Sequence, residues 1–151
     1  MPIGTKSDLI NLSSEKKTEQ LAKKISKKLK VGHIVFFKGE MGVGKTTFIK
    51  YLINNFQKEN RLKITEVTSP TFNLLNEYKI KKIRINHYDL FRVKSFDEIH
   101  NLGLFDDISN VITLIEWPQK IKSKPKNLIE LNFEYENDYK KRTVQIKGLN
   151  L

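Results

Sequence analysis

Residues 39–46, GEMGVGKT, constrain this chain more than any other stretch. Three of its seven glycines, Gly39, Gly42 and Gly44, fall within six positions here. They stand between the apolar run HIVFFK (33–38) and the amphipathic run KTTFIKYLINNF (45–56). The spacing fits G-x-x-x-x-G-K-[ST] at every defined position. Such a loop curls so that successive main-chain N–H groups point inward at one anion. The curl needs backbone angles that a Cβ resists and glycine adopts freely. A helix opening at Lys45 adds its unpaired N–H groups and the positive end of its dipole. The stretch therefore reads as a strand, a phosphate-gripping loop and a helix. A glycine turn with an incidental lysine is the competing reading, and the flanking apolar strand and helix speak against it. Met41, Gly42, Val43, Gly44, Lys45, Thr46 and Thr47 become candidate nucleotide contacts. Lys45 can reach the β and γ phosphates as a point charge, and the Thr46 hydroxyl can ligate Mg²⁺.

The rest of the chain alternates the two periodicities. SSEKKTEQLAKKISKKLKVG (13–32) predicts a helix capped by Ser13 or Ser14 and ended by Gly32, with Leu21, Ala22, Ile25 and Leu29 as its apolar stripe. HIVFFK predicts a buried strand, and Phe48, Ile49, Leu52, Ile53 and Phe56 mark the buried side of the helix after the loop. LKITEVT (62–68) predicts a strand, and FNLLNEYKI an extended segment. KKIRINHYDL (81–90) sets Ile83, Ile85 and His87 against Arg84, Asn86 and Tyr88, the period of a strand. SFDEIHNLGL (95–104) predicts a short helix, VITLIEW (111–117) a buried strand, and the tail from Asn127 to Gly148 a hairpin around a polar turn. The expected fold is α/β: a nucleotide-binding, mainly parallel sheet flanked by helices, with an antiparallel C-terminal hairpin. At 151 residues the chain is expected to form a single domain, 1–151.

A phosphate loop needs an acid to manage Mg²⁺ or its water, and two strand ends offer one. Glu116 closes VITLIE directly before Trp117 and Pro118; Asp89 closes IRINHYD. Taken alone, either could be an exposed acid at a strand end. His87 reads as a packed strand residue rather than a metal ligand. Ser69-Pro70-Thr71-Phe72 is either a stiff turn or a hydroxyl-bearing loop that senses the γ-phosphate.

Composition narrows the setting. The chain has no cysteine, which excludes disulfides and thiolate metal sites. Its first residues lack the apolar core of a signal peptide, and no run is long enough for a membrane span, so a cytoplasmic location is expected. Lys+Arg 28 against Asp+Glu 17 gives a net charge of +11. That excess suits a polyanion such as RNA, or it is a lysine bias on solvated faces; only Arg61, Arg84, Arg92 and Arg142 are arginines.

Four stretches in order, GEMGVGKTTF, SPTFNLLNEY, NHYDLFR and LIEWPQ, resemble the TsaE (YjeE) ATPases of bacterial tRNA threonylcarbamoyladenosine biosynthesis. The likeness is clear over about residues 13–120 and looser over the hairpin. It implies an Mg²⁺-dependent ATPase that supports tRNA modification with the TsaB and TsaD proteins, meeting tRNA only through that complex, with no membrane or DNA partner. By analogy Gly42, Gly44, Lys45 and Thr46 hold phosphate and metal, Glu116 is the metal-associated acid with Trp117 beside it, and Asp89 is the acid of the H-x-D motif. Thr71 lies in the switch-like loop. Glu15 and Thr18 match an E-x-x-T near the base. Lys45, Asp89 and Glu116 are thus the expected catalytic set, and Thr46 and Glu116 the metal set. The chain departs from the pattern in having Glu40 where Asp is usual and Phe91 where Tyr is usual. For the family's late arginine near the nucleotide, Lys140, Lys141 and Arg142 all remain candidates. Hydrolysis by the isolated chain is expected to be slow, since no arginine finger is evident. Two rival functions stand beside this one: a small phosphate-loop kinase, which would want an arginine-rich lid, and a basic RNA-binding module.

Overall fold

The computed structural model of the chain describes residues 9–136 and 139–151. The first eight residues, where no signal peptide is expected, and positions 137 and 138 of the expected polar turn lie outside that range. Seven strands form one sheet in the order β1-β7-β6-β2-β5-β4-β3. In chain order these are β1 (Leu9–Asn11), β2 (Ile34–Lys38), β3 (Leu75–Ile80), β4 (Ile83–Asp89), β5 (Ile112–Glu116), β6 (Leu128–Glu136) and β7 (Lys141–Lys147). The four central strands, β6, β2, β5 and β4, run parallel. The outer strands β1, β7 and β3 pair antiparallel. The expected α/β architecture is therefore present, with parallel strands at the centre and hairpins at both edges.

Helices α1 (Glu15–Ser26) and α2 (Lys45–Glu59) cover one face of the sheet; α3 (Phe96–Asn101) and two short 3₁₀ turns accompany the other. The period of β2 shows why both faces need cover. Val35 and Phe37 pack into the larger core with α1 and α2, whereas Ile34 and Phe36 join Tyr88, Leu90, Ile99 and Ile115 in the smaller one. A central parallel strand buried on both sides reads as an unbroken apolar run, as IVFF does. Phe37, Phe48 and Phe133 meet with ring centroids 5.7–6.4 Å apart, which seats the first turns of α2 against β2 and β6.

Three expectations need correction. The first helix ends at Ser26, not just before Gly32. Beyond Lys27 the chain turns, Leu29 still buries itself, and Gly32 at φ +94° supplies the left-handed bend into β2. Its N-cap is Ser14, which accepts from Lys17 N at 3.2 Å, while Ser13 Oγ accepts from Arg142 N at 3.1 Å. The strand expected over 62–68 is absent. Side chains of α2 take its polar groups instead: Asn54 Nδ2 donates to Thr65 O at 3.1 Å, and Thr65 N donates to Gln57 Oε1 at 3.2 Å. The sheet edge that such a strand would occupy belongs to β3. The third correction is an addition, β1, three residues long and paired, among the described residues, with β7. No helix among the described residues is long and apolar enough to cross a membrane.

Candidate nucleotide site

The parallel strands deliver their C-terminal ends to one edge, where open α/β sheets place ligands. Glu116 pairs in register with Phe37 of β2 on one side and Asp89 of β4 on the other. The loop that leaves β2 arches over this edge and enters α2 at Lys45. Gly39, Gly42 and Gly44 all take positive φ, at +146°, +81° and +109°. Lys45, Thr46 and Thr47 open the helix, and the first intrahelical bond at this end is Phe48 N to Gly44 O at 3.0 Å. Their N–H groups therefore have no partner within the helix and face the loop's concavity. Val43 offers only its main chain, since its side chain is in the core.

One cleft gathers most of the expected residues: Met41, Gly42, Gly44, Lys45, Thr46, Thr47, Thr71, Asp89, Glu116 and Trp117 line it together with Ser69. An adjoining cleft shares Gly44 and Thr47 with it and is walled by Leu12, Glu15, Thr18, Val43, Phe133 and Arg142. Glu15 and Thr18 thus stand beside the loop rather than in it. Glu15 accepts a hydrogen bond from Tyr51 of α2, which pushes the Tyr51 hydroxyl up to about 12. Among the three basic candidates of the hairpin, Arg142 lines this second cleft, and its Nη1 lies 3.4 Å from where a Cβ on Gly44 would be.

Lys45 is only 4% exposed, yet its ammonium makes no ion pair with a described carboxylate. Nζ donates to Gly39 O and lies 3.5 Å from the centroid of the Trp117 ring. Burial lowers its pKa, and the charges of Glu116 and Asp89 pull the other way. A buried cation held by one carbonyl and one ring face is a site prepared for an anion. Trp117 is posed for this contact by a left-handed backbone, φ +58°, and its other flank rests on Phe91 at 4.9 Å.

Each oxygen of the two carboxylates has one partner. Glu116 Oε1 accepts from Thr46 Oγ1 at 2.9 Å, and Oε2 sits 2.7 Å from His87 Nε2. Asp89 Oδ2 accepts from Ser69 Oγ, and Oδ1 from Phe91 N at 3.0 Å. Asp89 therefore ties the Ser69–Phe72 loop to the sheet and keeps Thr71 at the cleft. Tyr135 of β6 donates its hydroxyl to Gly42 O and braces the loop from the far side. Among the described residues no group of three or more His, Cys, Asp or Glu side chains could hold a metal alone. The pairing of Thr46 with Glu116 still fits magnesium, which takes one or two protein oxygens, waters and phosphate oxygens.

Sequence reasoning missed Tyr51 and Tyr135, took His87 as a packed strand residue, which its burial bears out, and named Ser69 as part of its loop without the bond to Asp89. Each acts through a partner 20 to 93 positions away. Only the strand period around His87 hinted at its neighbour: with Ile85 and Asp89 it shares the face turned to α2.

Comparison with known proteins gives the family. A family model described as threonylcarbamoyl adenosine biosynthesis protein TsaE matches residues 12–144. The tRNA threonylcarbamoyladenosine biosynthesis protein TsaE of Rickettsia bellii is 44% identical over 131 residues, covering 86% of this chain and 88% of its own. The Aquifex aeolicus protein of the same name is 36% identical, over 87% of this chain and 91% of its own. The crystal structure of Bacillus subtilis YdiB superposes with a TM-score of 0.67 at 21% identity, covering 91% of this chain and 82% of that one, a likeness of fold. On the family match and these relatives, the chain belongs to the TsaE family.

Proposed function

We propose that this chain binds ATP with Mg²⁺ and hydrolyses it, slowly on its own, in support of threonylcarbamoyladenosine formation on tRNA, working with the TsaB and TsaD proteins. One observation carries the nucleotide reading: the Thr46 hydroxyl and the Glu116 carboxylate meet at 2.9 Å, and both line one cleft with Lys45, which is buried and makes no ion pair with a described carboxylate. Family membership carries the link to tRNA modification.

In the proposed reaction, a water oxygen bonds to the γ-phosphorus and the bond from that phosphorus to the β–γ bridging oxygen breaks. ADP leaves with the electron pair, and the water proton passes to solvent. The amides of Gly42 to Thr47 hold the phosphates, and Lys45 stabilises the charge that grows on them. Thr46 and Glu116 would hold magnesium, which when bound neutralises phosphate charge. Asp89 keeps the Thr71 loop in place and, with the second lone pair on each oxygen, can orient the attacking water. Arg142, Glu15 and Thr18 line the space beyond Gly44 where the nucleoside would lie.

Calorimetry and phosphate release on the wild-type chain and Lys45→Ala test this. The wild type is expected to bind Mg-ATP and to yield only ADP and phosphate. Lys45→Ala is expected to lose roughly 100-fold or more in turnover, the scale of losing one charge-stabilising donor. Wild-type turnover in Lys45→Ala overturns the assignment.

A further inference from the structure

We propose that His87 is a positioning residue for Glu116: its imidazole holds one carboxylate oxygen so that the other is presented to Thr46 and the metal position. This rests on the magnesium-nucleotide reading above and deepens it.

The side chain of His87 is 0% exposed and that of Glu116 3%. His87 comes from the middle of β4, Glu116 from the end of β5, and their strands are paired in register. An ionised carboxylate only accepts hydrogen bonds, so Nε2 carries the hydrogen that bridges the 2.7 Å to Oε2. The other ring nitrogen, Nδ1, has no hydrogen-bond partner among the described residues. A histidine kept for the fold would be expected to engage both nitrogens, because a buried polar atom left alone is costly. Among the described residues the ring's only hydrogen-bond partner is the carboxylate.

Geometry shows what that contact achieves. The last torsion of a glutamate is broad and roughly two-fold, so one anchor would leave the carboxylate plane free to swing. Glu116 has two anchors from different elements: Thr46 Oγ1 of α2 on Oε1 and His87 Nε2 of β4 on Oε2. Together they fix the plane and leave the second lone pair of Oε1 beside the Thr46 hydroxyl. When a ligating carboxylate loses such an outer partner, metal affinity or activity falls by roughly 10–100-fold. The nitrogen that faces this position, Nε2, is taken by the carboxylate and is not offered to a metal here.

The test uses the full chain and calorimetric titration of Mg²⁺ in the presence of a non-hydrolysable ATP analogue, with nucleotide affinity in EDTA measured alongside. His87→Leu fills the space without a donor. It is expected to raise the Mg²⁺ midpoint by roughly 10–100-fold while affinity in EDTA stays within about twofold. His87→Gln restores a donor and is expected to recover most of the loss. Because Leu beside a buried carboxylate can fail to fold, the double variant His87→Leu/Glu116→Gln gives an independent reading. It is expected to match Glu116→Gln alone in Mg²⁺ midpoint and residual turnover, because His87 acts only through Glu116. An unmoved midpoint in folded His87→Leu, a parallel loss in EDTA, or a double variant about tenfold worse than Glu116→Gln overturns the inference. A wild-type chain whose nucleotide affinity ignores Mg²⁺ would instead sink the reading beneath it.

Discussion

At the scale of single residues, the glycine-rich loop between β2 and α2 is shaped as much by what cannot be added as by what is present. A Cβ on Gly39 would lie 2.8 Å from Phe133 O and 2.9 Å from Val43 Cγ1, at a φ of +146° that side chains rarely adopt. Both obstacles belong to packed elements, so neither can yield cheaply. Gly39→Ala is therefore expected to destabilise the fold by about 1–3 kcal/mol, through backbone strain and overpacking. Urea unfolding at neutral pH measures it, and an unchanged midpoint would mean that the loop relaxes without cost. Gly39, Lys45 and Thr46 could be grouped in the sequence because one motif spaces them along the chain, and Glu116 and Asp89 because each is an acid that closes an apolar strand. His87 and Ser69 could not. Their chemistry exists only once β4 lies beside β5 and the Ser69 loop folds back on Asp89, pairings made 29 and 20 positions apart. Likewise, three basic residues competed for the hairpin position on paper, and only the register of β6 with β7 separates Arg142 from its neighbours.

At the scale of elements, period and apolar runs identified β2, α2, β4, β5 and the C-terminal hairpin, because each carries its burial pattern within itself. The segment 62–68 carries the alternation of a strand without becoming one, since Asn54 and Gln57 of α2 satisfy it first. Strand β1 has the opposite character: three residues with no pattern of their own, made a strand by pairing with β7. The junction of β2 with β6 is also polar in a way that only pairing reveals. Lys38 Nζ meets Glu130 Oε1 at 2.8 Å, and Lys124 Nζ approaches Oε2 at 3.6 Å. Burial pushes the Glu130 carboxyl up, but the two lysines outweigh it and hold the group below its ordinary value of 4.5. A carboxyl whose folded pKa is depressed adds stability above its unfolded pKa and loses it as pH falls through the folded one. Glu130→Gln is thus expected to lower stability at pH 7 by less than about 1 kcal/mol, both lysines being open to solvent, and to cost progressively less below pH 4.5. Urea midpoints at neutral and acid pH for both proteins check the sign; a deficit that grows on acidification would refute it.

At the scale of the whole molecule, the question is how a chain of net charge +11 relates to tRNA. Exposed lysines stand on α1 at 16, 17, 23 and 24, on the face that covers the larger core. Others, at 120, 122, 124 and 126, lie on the opposite side, where Lys122 Nζ sits 5.6 Å from the Phe96 ring of α3. Charge spread over both faces raises the general attraction for a polyanion without forming one groove that tracks a backbone, and such attraction fades with salt. The cleft at the strand ends is the organised feature, with a buried cation and two anchored carboxylates at one edge of the sheet. The chain's contribution should therefore depend on the cleft and not on its own hold on RNA. Reconstitution separates the two. With TsaB, TsaD, tRNA, ATP and the activated threonylcarbamoyl donor, repeated rounds of modification are expected to require this chain. Lys45→Ala is expected not to replace it, although its surface charge falls by no exposed residue. Direct tRNA binding by the chain alone is expected to be weak and to vanish near physiological salt. Tight, salt-resistant tRNA binding, together with full support of modification by Lys45→Ala, would move the function from the cleft to the basic surface.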